Sequence, residues 1–270
     1  MKAITLLVTY RLAQAYCIGI ILTFAPSREK QKLRGRLNRA GARGTWLVMR
    51  AVSRLISRRK IVMCAEGLEY VPSSGPVLIA ARHFHFFYDG YVLLRAIRRP
   101  LHIIVALDWM HNRLLRLLVE FACALVDWPV VLRSEQFQEH ASDKQWAYKS
   151  SEARRYLRQV AKASVRILRS EHLLVIFAEG YPNIDPHPTP KADLDAFLPF
   201  KPGFIKLAEM AERDGETQVA IVPAGFVYRK VGKRWYTTVR FGPPLFQRDF
   251  ANNTLLLHSV EKSVHTLSQS

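Results

Sequence analysis

The chain has 270 residues and a mass of 31.0 kDa, with 49% hydrophobic and 23% charged residues. That composition excludes a disordered or fibrous chain and fits one large globular domain, or one with a small appendage. The net charge of +18 implies attraction to something anionic: nucleic acid, a lipid surface or a phosphorylated substrate.

The charge is unevenly placed. Residues 1–60 hold 14 Lys and Arg against one acid, Glu29, whereas residues 61–270 hold 26 basic and 21 acidic residues. A nucleic-acid-binding fold carries its basic stripe on the folded domain, so this segregation argues against nucleic acid as a partner. The cysteines Cys17, Cys64 and Cys123 are far apart, odd in number and lack metal-ligand spacing. They read as small apolar residues, buried or membrane-facing, in a reducing compartment.

In chain order, Ala3–Pro26 is a 24-residue, mostly apolar stretch interrupted by Arg11 and Gln14. Its length suits a helix of bilayer scale, but Arg11 at mid-depth is costly, so it reads as interfacial, re-entrant or weakly spanning rather than as a cleaved signal. The following block, Arg28–Lys60, carries twelve Lys and Arg against Glu29 alone, the pattern of a segment on the cytoplasmic face of an anionic membrane. Within it Trp46, Leu47, Met49, Val52, Leu55 and Ile56 recur at helical spacing between arginines, as in a basic amphipathic helix lying in the interface. Residues 1–60 are therefore expected to form membrane-associated helices, and residues 61–270 an α/β domain.

From Ile61 onward short apolar runs alternate with longer helical patterns. The predicted strands are Ile61–Ala65, Pro76–Ala81, His102–Leu107, Pro129–Leu132, Leu173–Ala178, Gln218–Val227 and Trp235–Phe241. The predicted helices are Asp89–Ala96, Asn112–Ala124, Asp143–Arg169 with Asp143 as N-cap, Gly203–Arg213 and Asp249–Leu267. Interleaved in this way they imply a mixed, largely buried sheet flanked by helices. One long irregular loop, Tyr181–Pro202, holds five of the fourteen prolines ahead of Pro202. Long loops at strand ends usually carry function.

Four segments carry chemistry. The first, Ala80-Ala81-Arg82-His83-Phe84-His85-Phe86-Phe87-Tyr88-Asp89-Gly90, follows an apolar strand. A His leaving a strand can meet an Asp at the next helix N-terminus, and such a pair can act as a general base on a hydroxyl. The second, Leu173–Pro182, is a buried strand ending in Glu179 and Gly180; the Glu can orient an acceptor or a basic partner, and the Gly permits close approach of a ligand. The third, Phe197–Ala208, contains Lys201 and Gly203 at the start of a helix, where free N–H groups can receive phosphate. The fourth, Val219–Phe226, contains Pro223 and Gly225 and reads as a bulged core strand. His187, in Asp185-Pro186-His187-Pro188, reads as an exposed loop residue rather than a metal ligand.

In this order and spacing the four segments, with IFAEG, LPFKPGFIKLA and IVPAGF as the strongest elements, resemble the glycerolipid acyltransferase superfamily of PlsC-type lysophospholipid acyltransferases, over roughly Gly67–Gly242. The resemblance implies a membrane-associated enzyme on the cytoplasmic face of the membrane. It would transfer a fatty acyl group from acyl-CoA or acyl-carrier protein to a hydroxyl of a lysophospholipid-type acceptor, with no metal and no other cofactor. In the family four residues separate the catalytic His from its Asp; here five separate His83 from Asp89 and three separate His85 from it. Alignment from the preceding strand favours His83 as base, and compactness favours His85. The family's Glu-Gly element usually continues Thr-Arg, whereas Tyr181-Pro182 follows here, so Arg133 and Lys201 are the candidates for holding anionic groups, beside Glu179, Gly180 and Gly203. The unusual His-to-Asp spacing also leaves a non-catalytic lipid-binding or membrane-tethering domain as the alternative.

Overall fold

The structure, a computed structural model, describes residues 44, 46–55, 58–110, 112–133 and 150–269. The apolar stretch Ala3–Pro26, most of the basic block, Cys17 and the Asp143 cap lie outside the described residues. Among the described residues eight strands form two sheets: β1 (Ile61–Glu66), β2 (Val77–Ala81), β3 (Leu101–Ile103), β4 (Val105–Ala106), β5 (Val130–Val131), β6 (Leu173–Phe177), β7 (Ala220–Val231) and β8 (Arg234–Phe241). Residues 46–55 are helical, and the helices after them are α1 (Tyr88–Ala96), α2 (Arg113–Leu125), α3 (Ser150–Arg169), α4 (Gly203–Glu212) and α5 (Asn253–Leu267). The main sheet has the order β1-β8-β7-β2-β6-β3 and is parallel except for the antiparallel β7–β8 hairpin.

The apolar runs are near-continuous because both faces of the sheet are covered. Alternate residues supply the two sides: Val77, Ile79, Leu173, Val175, Ala220 and Val222 join the core under α1, while Leu78, Ala80, Leu174 and Ile221 join the core under α3, α4 and α5. The mixed α/β architecture expected from the sequence is the one found. Among the described residues no helix is long and apolar enough to cross a membrane.

Several local expectations change. His102–Leu107 is not one strand: β3 pairs with β6, and one residue later β4 leaves to pair with β5. The expected bulge in Val219–Phe226 is absent. β7 keeps continuous register with β2 and β8, and Pro223, which has no N–H to give, contributes only its carbonyl, accepting from Gly242 N at 3.0 Å. The last helix begins not at Asp249 but at Asn253, where the Asn252 side chain caps it by accepting from Leu255 N. Of the two described cysteines, expected to be buried or membrane-facing, Cys123 is buried and Cys64 is exposed. Trp46 and Met49, expected on a lipid-facing side, pack against the core of the domain, and Arg50 donates to the carbonyl of Arg95 at 2.8 Å.

Gly225 marks the closest approach of α5 to the sheet: a Cβ placed there would lie 2.5 Å from the Leu267 carbonyl carbon. Since that atom is backbone, the helix end itself would have to move. Gly225→Ala is expected to destabilise the protein by about 1–3 kcal/mol in urea unfolding. Gly203→Ala, where nothing lies within 4 Å, stays within about 0.5 kcal/mol of the parent.

Candidate active site at the ends of the parallel strands

β2 and β6 are parallel neighbours with Ala81 opposite Phe177, so the loops that leave them emerge side by side. The carboxyl ends of parallel strands are where such sheets build ligand sites. The β2 loop brings Arg82, His83 and His85; the β6 loop brings Glu179 and Gly180.

Asp89 sits fully buried in the first turn of α1, where the helix N-terminus favours its negative charge. Its Oδ2 accepts from His83 Nδ1 at 2.9 Å, from Phe84 N at 2.8 Å and from His85 N at 3.0 Å. Its Oδ1 accepts from the Tyr228 hydroxyl at 2.8 Å. The two backbone donors curl the segment around the carboxylate, and the curl absorbs the extra residue between His83 and Asp89. Burial first, and then the Asp89 charge, push the Tyr228 phenol well above its ordinary pKa, which keeps it a donor.

The two histidines have different surroundings. The His83 ring stacks on Phe177 at 4.2 Å and keeps 16% of its side-chain surface exposed. With Nδ1–H directed at Asp89, the neutral ring carries its lone pair on Nε2. His85 is buried among Phe86, Tyr88, Tyr228 and Trp235, and its Nδ1 accepts from Phe87 N at 3.2 Å and Tyr88 N at 3.4 Å at the start of α1. Burial pushes its pKa down to about 4 against the opposing pull of Asp89. Its Nδ1 lone pair is engaged by the helix start.

Glu179 is also fully buried. Oε1 accepts from His83 N at 3.1 Å; Oε2 accepts from Leu198 N at 2.9 Å and pairs with Lys191 Nζ at 2.6 Å. Lys191 reaches in from the proline-rich loop and also donates to the His83 carbonyl at 2.8 Å and to Asn183 Oδ1 at 3.0 Å. Its three N–H donors thus meet three acceptors. Burial lowers the Lys191 pKa and the Glu179 carboxylate opposes that shift. Beneath them the buried Arg82 guanidinium lies 3.9 Å from the Phe197 ring centroid and donates to the Leu194 carbonyl at 2.9 Å.

Arg133, at the end of β5, comes to the same corner. It pairs with the fully buried Asp108 at 2.7 Å, donates from Nη1 to the Gly180 carbonyl at 2.7 Å, and covers the Tyr181 ring at 4.2 Å. Gly180 has φ 80°, a left-handed conformation that disfavours other residues, and the Lys201 side chain lies 3.6 Å from where its Cβ would be. Lys201 and Gly203 are exposed, with Lys201 Nζ 5.5 Å from the Tyr181 ring centroid. The structure therefore gathers His83, Asp89 and Glu179 into one hydrogen-bonded cluster, and Arg133, Gly180 and Lys201 around Tyr181. His85 faces the helix start instead. His187 rests against Trp109, with ring centroids 5.4 Å apart, and its backbone N–H donates to Asp185. Among the described residues no group of three or more His, Cys, Asp or Glu is placed to hold a metal ion.

Lys191, Tyr228 and Asp108 were not anticipated from the sequence. A buried strand-end carboxylate requires a compensating cation. That rule points to the long loop after Glu179 as its source but not to one lysine within it.

Lys191→Met would strand the Glu179 carboxylate in the interior and is expected to cost about 3–5 kcal/mol in urea unfolding, whereas Glu179→Gln/Lys191→Met recovers most of the loss. Burial holds His85 and His102 at about 4, below the 6.5 of an unfolded histidine. The unfolded chain therefore binds more protons between those values. Stability should be fully present above about pH 6.5 and decline as pH falls toward 4, read as a falling urea midpoint, and His102→Gln should flatten that slope.

The Acyltransferase family profile matches residues 62–227. Among solved structures the chain is similar to a 1-acyl-sn-glycerophosphate (LPA) acyltransferase, PlsC, from Thermotoga maritima, at 15% identity, 98% coverage of this chain, 97% of that chain and a TM-score of 0.47. No curated protein matches it in sequence. The matched span runs from β1 into β7 and includes the β2 and β6 loops, the elements on which the glycerolipid-acyltransferase resemblance rested. The chain belongs to the Acyltransferase family.

Proposed function

We propose that the protein transfers a fatty acyl group from acyl-CoA or acyl-carrier protein to a hydroxyl of a lysophospholipid or related glycerolipid at an anionic membrane surface. The observation that carries this reading is the His83–Asp89 contact at 2.9 Å beside the buried Glu179. Asp89 holds Nδ1–H, so Nε2 takes the acceptor hydroxyl proton as its oxygen attacks the thioester carbonyl carbon. The tetrahedral intermediate collapses with cleavage of the C–S bond, and the leaving thiolate receives the proton from the imidazolium. Glu179 and Lys191 act on the His83 backbone and fix where the ring stands. Gly180 and the N-terminus of α4 at Gly203 shape the acceptor end.

Lys201 is the better placed of the two proposed anion-binding cations, because it is exposed while the Arg133 charge is already balanced by Asp108. A lysophosphatidic acid-type acceptor agrees with that single cation. The acidic-poor, basic segment of residues 1–60 supports membrane association on the cytoplasmic side. The alternative, a non-catalytic lipid-binding domain, drew on the His-to-Asp spacing, and the curl around Asp89 removes that argument.

Thiol release from acyl-CoA or acyl-carrier protein with a panel of lysolipids tests the reading. His83→Ala should lower kcat by about 10²–10⁴-fold. His85→Gln should stay within about tenfold of the parent, since its role is at the helix start. Undiminished turnover in His83→Ala would remove the mechanism, and tight lysolipid binding without thiol release for any donor would establish the binding-domain alternative.

A further inference from the structure

We infer that α2 and the first half of α3 form a lipid-docking surface on the α/β domain itself, separate from residues 1–60. α2 is turned the wrong way round for a helix facing water. Two of its three charged side chains face the protein: Arg116 and Glu120 keep 16% and 22% of their side-chain surface exposed, and only Arg113, in the first turn, is exposed. Arg116 pairs with Glu152 of α3 at 3.1 Å, and Tyr156 of α3 donates to Glu120. Five large apolar side chains face out, with Leu114 68%, Leu115 47%, Leu117 61%, Leu118 53% and Phe121 49% exposed, while Val119 and Cys123 face the core. In a helix at a water boundary the order is the reverse, and a contiguous apolar face of this kind marks an interaction site.

The neighbouring charge selects the partner. Across Ser150–Arg169 the only acid is Glu152, against six Lys and Arg. Arg154, Arg155 and Arg158 are exposed in its first half, together with Leu157 at 60%. Glu152 pairs with both Arg116 and Arg155, which places the basic side of α3 directly beside α2. An aliphatic face bordered by exposed guanidinium groups is complementary to acyl chains beneath anionic headgroups. With 13 residues α2 spans about 20 Å, short of the roughly 30 Å hydrocarbon core, so it lies in the interface rather than across it. The inference deepens the membrane part of the proposed function and requires nothing of the acyl-transfer chemistry.

The test uses the full chain, co-sedimented with phosphatidylcholine vesicles with and without phosphatidylglycerol, without any thioester donor. Leu114→Ser/Leu118→Ser/Phe121→Ser is expected to lower partitioning about tenfold or more on both vesicle types. Arg154→Gln/Arg158→Gln should reduce it chiefly on the anionic vesicles, and added salt should reproduce that effect. The unfolding midpoint and sedimentation mass of the triple variant should equal those of the parent, and its thiol release with detergent-dispersed lysolipid should be unchanged. Unchanged partitioning of the triple variant overturns the inference. A lowered unfolding midpoint would show the face covered by a segment of its own chain, a halved mass would show it covered by a second copy, and either result overturns it as well. Absence of thiol release by the parent protein from detergent-dispersed lysolipid, with the parent's vesicle partitioning intact and the triple variant's lost, would count against the proposed chemistry and leave the docking surface standing.

Discussion

The carboxylate of Asp89 is the constraint on which the rest of the site depends. A buried carboxylate needs hydrogen bonds for both oxygens, and here those bonds come from four groups: His83, Phe84, His85 and Tyr228. Two of the donors are main-chain groups, so the same charge that orients the imidazole also determines the path of the loop between β2 and α1. Tyr228 arrives from β7, which ties that loop to the strand two along from β6 in the sheet. The ring of His83 is thus set by the fold rather than by its own rotamer preference.

A second buried charge completes the arrangement. Glu179 holds the His83 N–H and Lys191 holds the His83 carbonyl, so the residue is fixed from both sides of its backbone. Because Lys191 belongs to the long loop, the loop is locked onto the site by an ion pair in which each partner offsets the burial cost of the other. Pre-organisation of this kind matters most for a base that must meet a hydroxyl within a narrow geometry. The proline content of the loop, which lowers the entropy lost on ordering it, works in the same direction.

The parts legible in the sequence were those governed by local pattern. β2, β6 and α4 lie within a residue or two of their expected bounds because each is a run whose periodicity or apolar continuity has one reading. His83, Asp89, Glu179 and Gly180 stood at the ends of those runs and could be read with them. Lys191, Tyr228 and Asp108 could not, since each reaches the site from another element across the sheet or loop. The split of residues 101–106 into two strands was equally hidden, because the choice between β6 and β5 as partner is made by packing, not by local propensity. Charge counted over residues 61–270 hides a local excess, since a domain near electrical balance overall still concentrates six basic residues on α3.

The Tyr181-Pro182 departure from the family's Thr-Arg can be understood from where Arg133 lies. Its guanidinium covers the Tyr181 ring and bonds the Gly180 carbonyl, so an arginine delivered by β5 stands at the turn that in the family is followed by an arginine of its own. The two are not equivalent in charge. Asp108, fully buried, pairs with Arg133 and screens it, which leaves the guanidinium to brace the turn while Lys201, on the exposed side of the same turn, presents charge outward. If Lys201 binds an anion as proposed, bracing and anion binding, which one arginine can combine, are divided between two residues. On the proposed reading that division would cost the site a bidentate phosphate contact, and an acceptor bound through one flexible ammonium would be held by its glycerol and acyl parts more than by its headgroup.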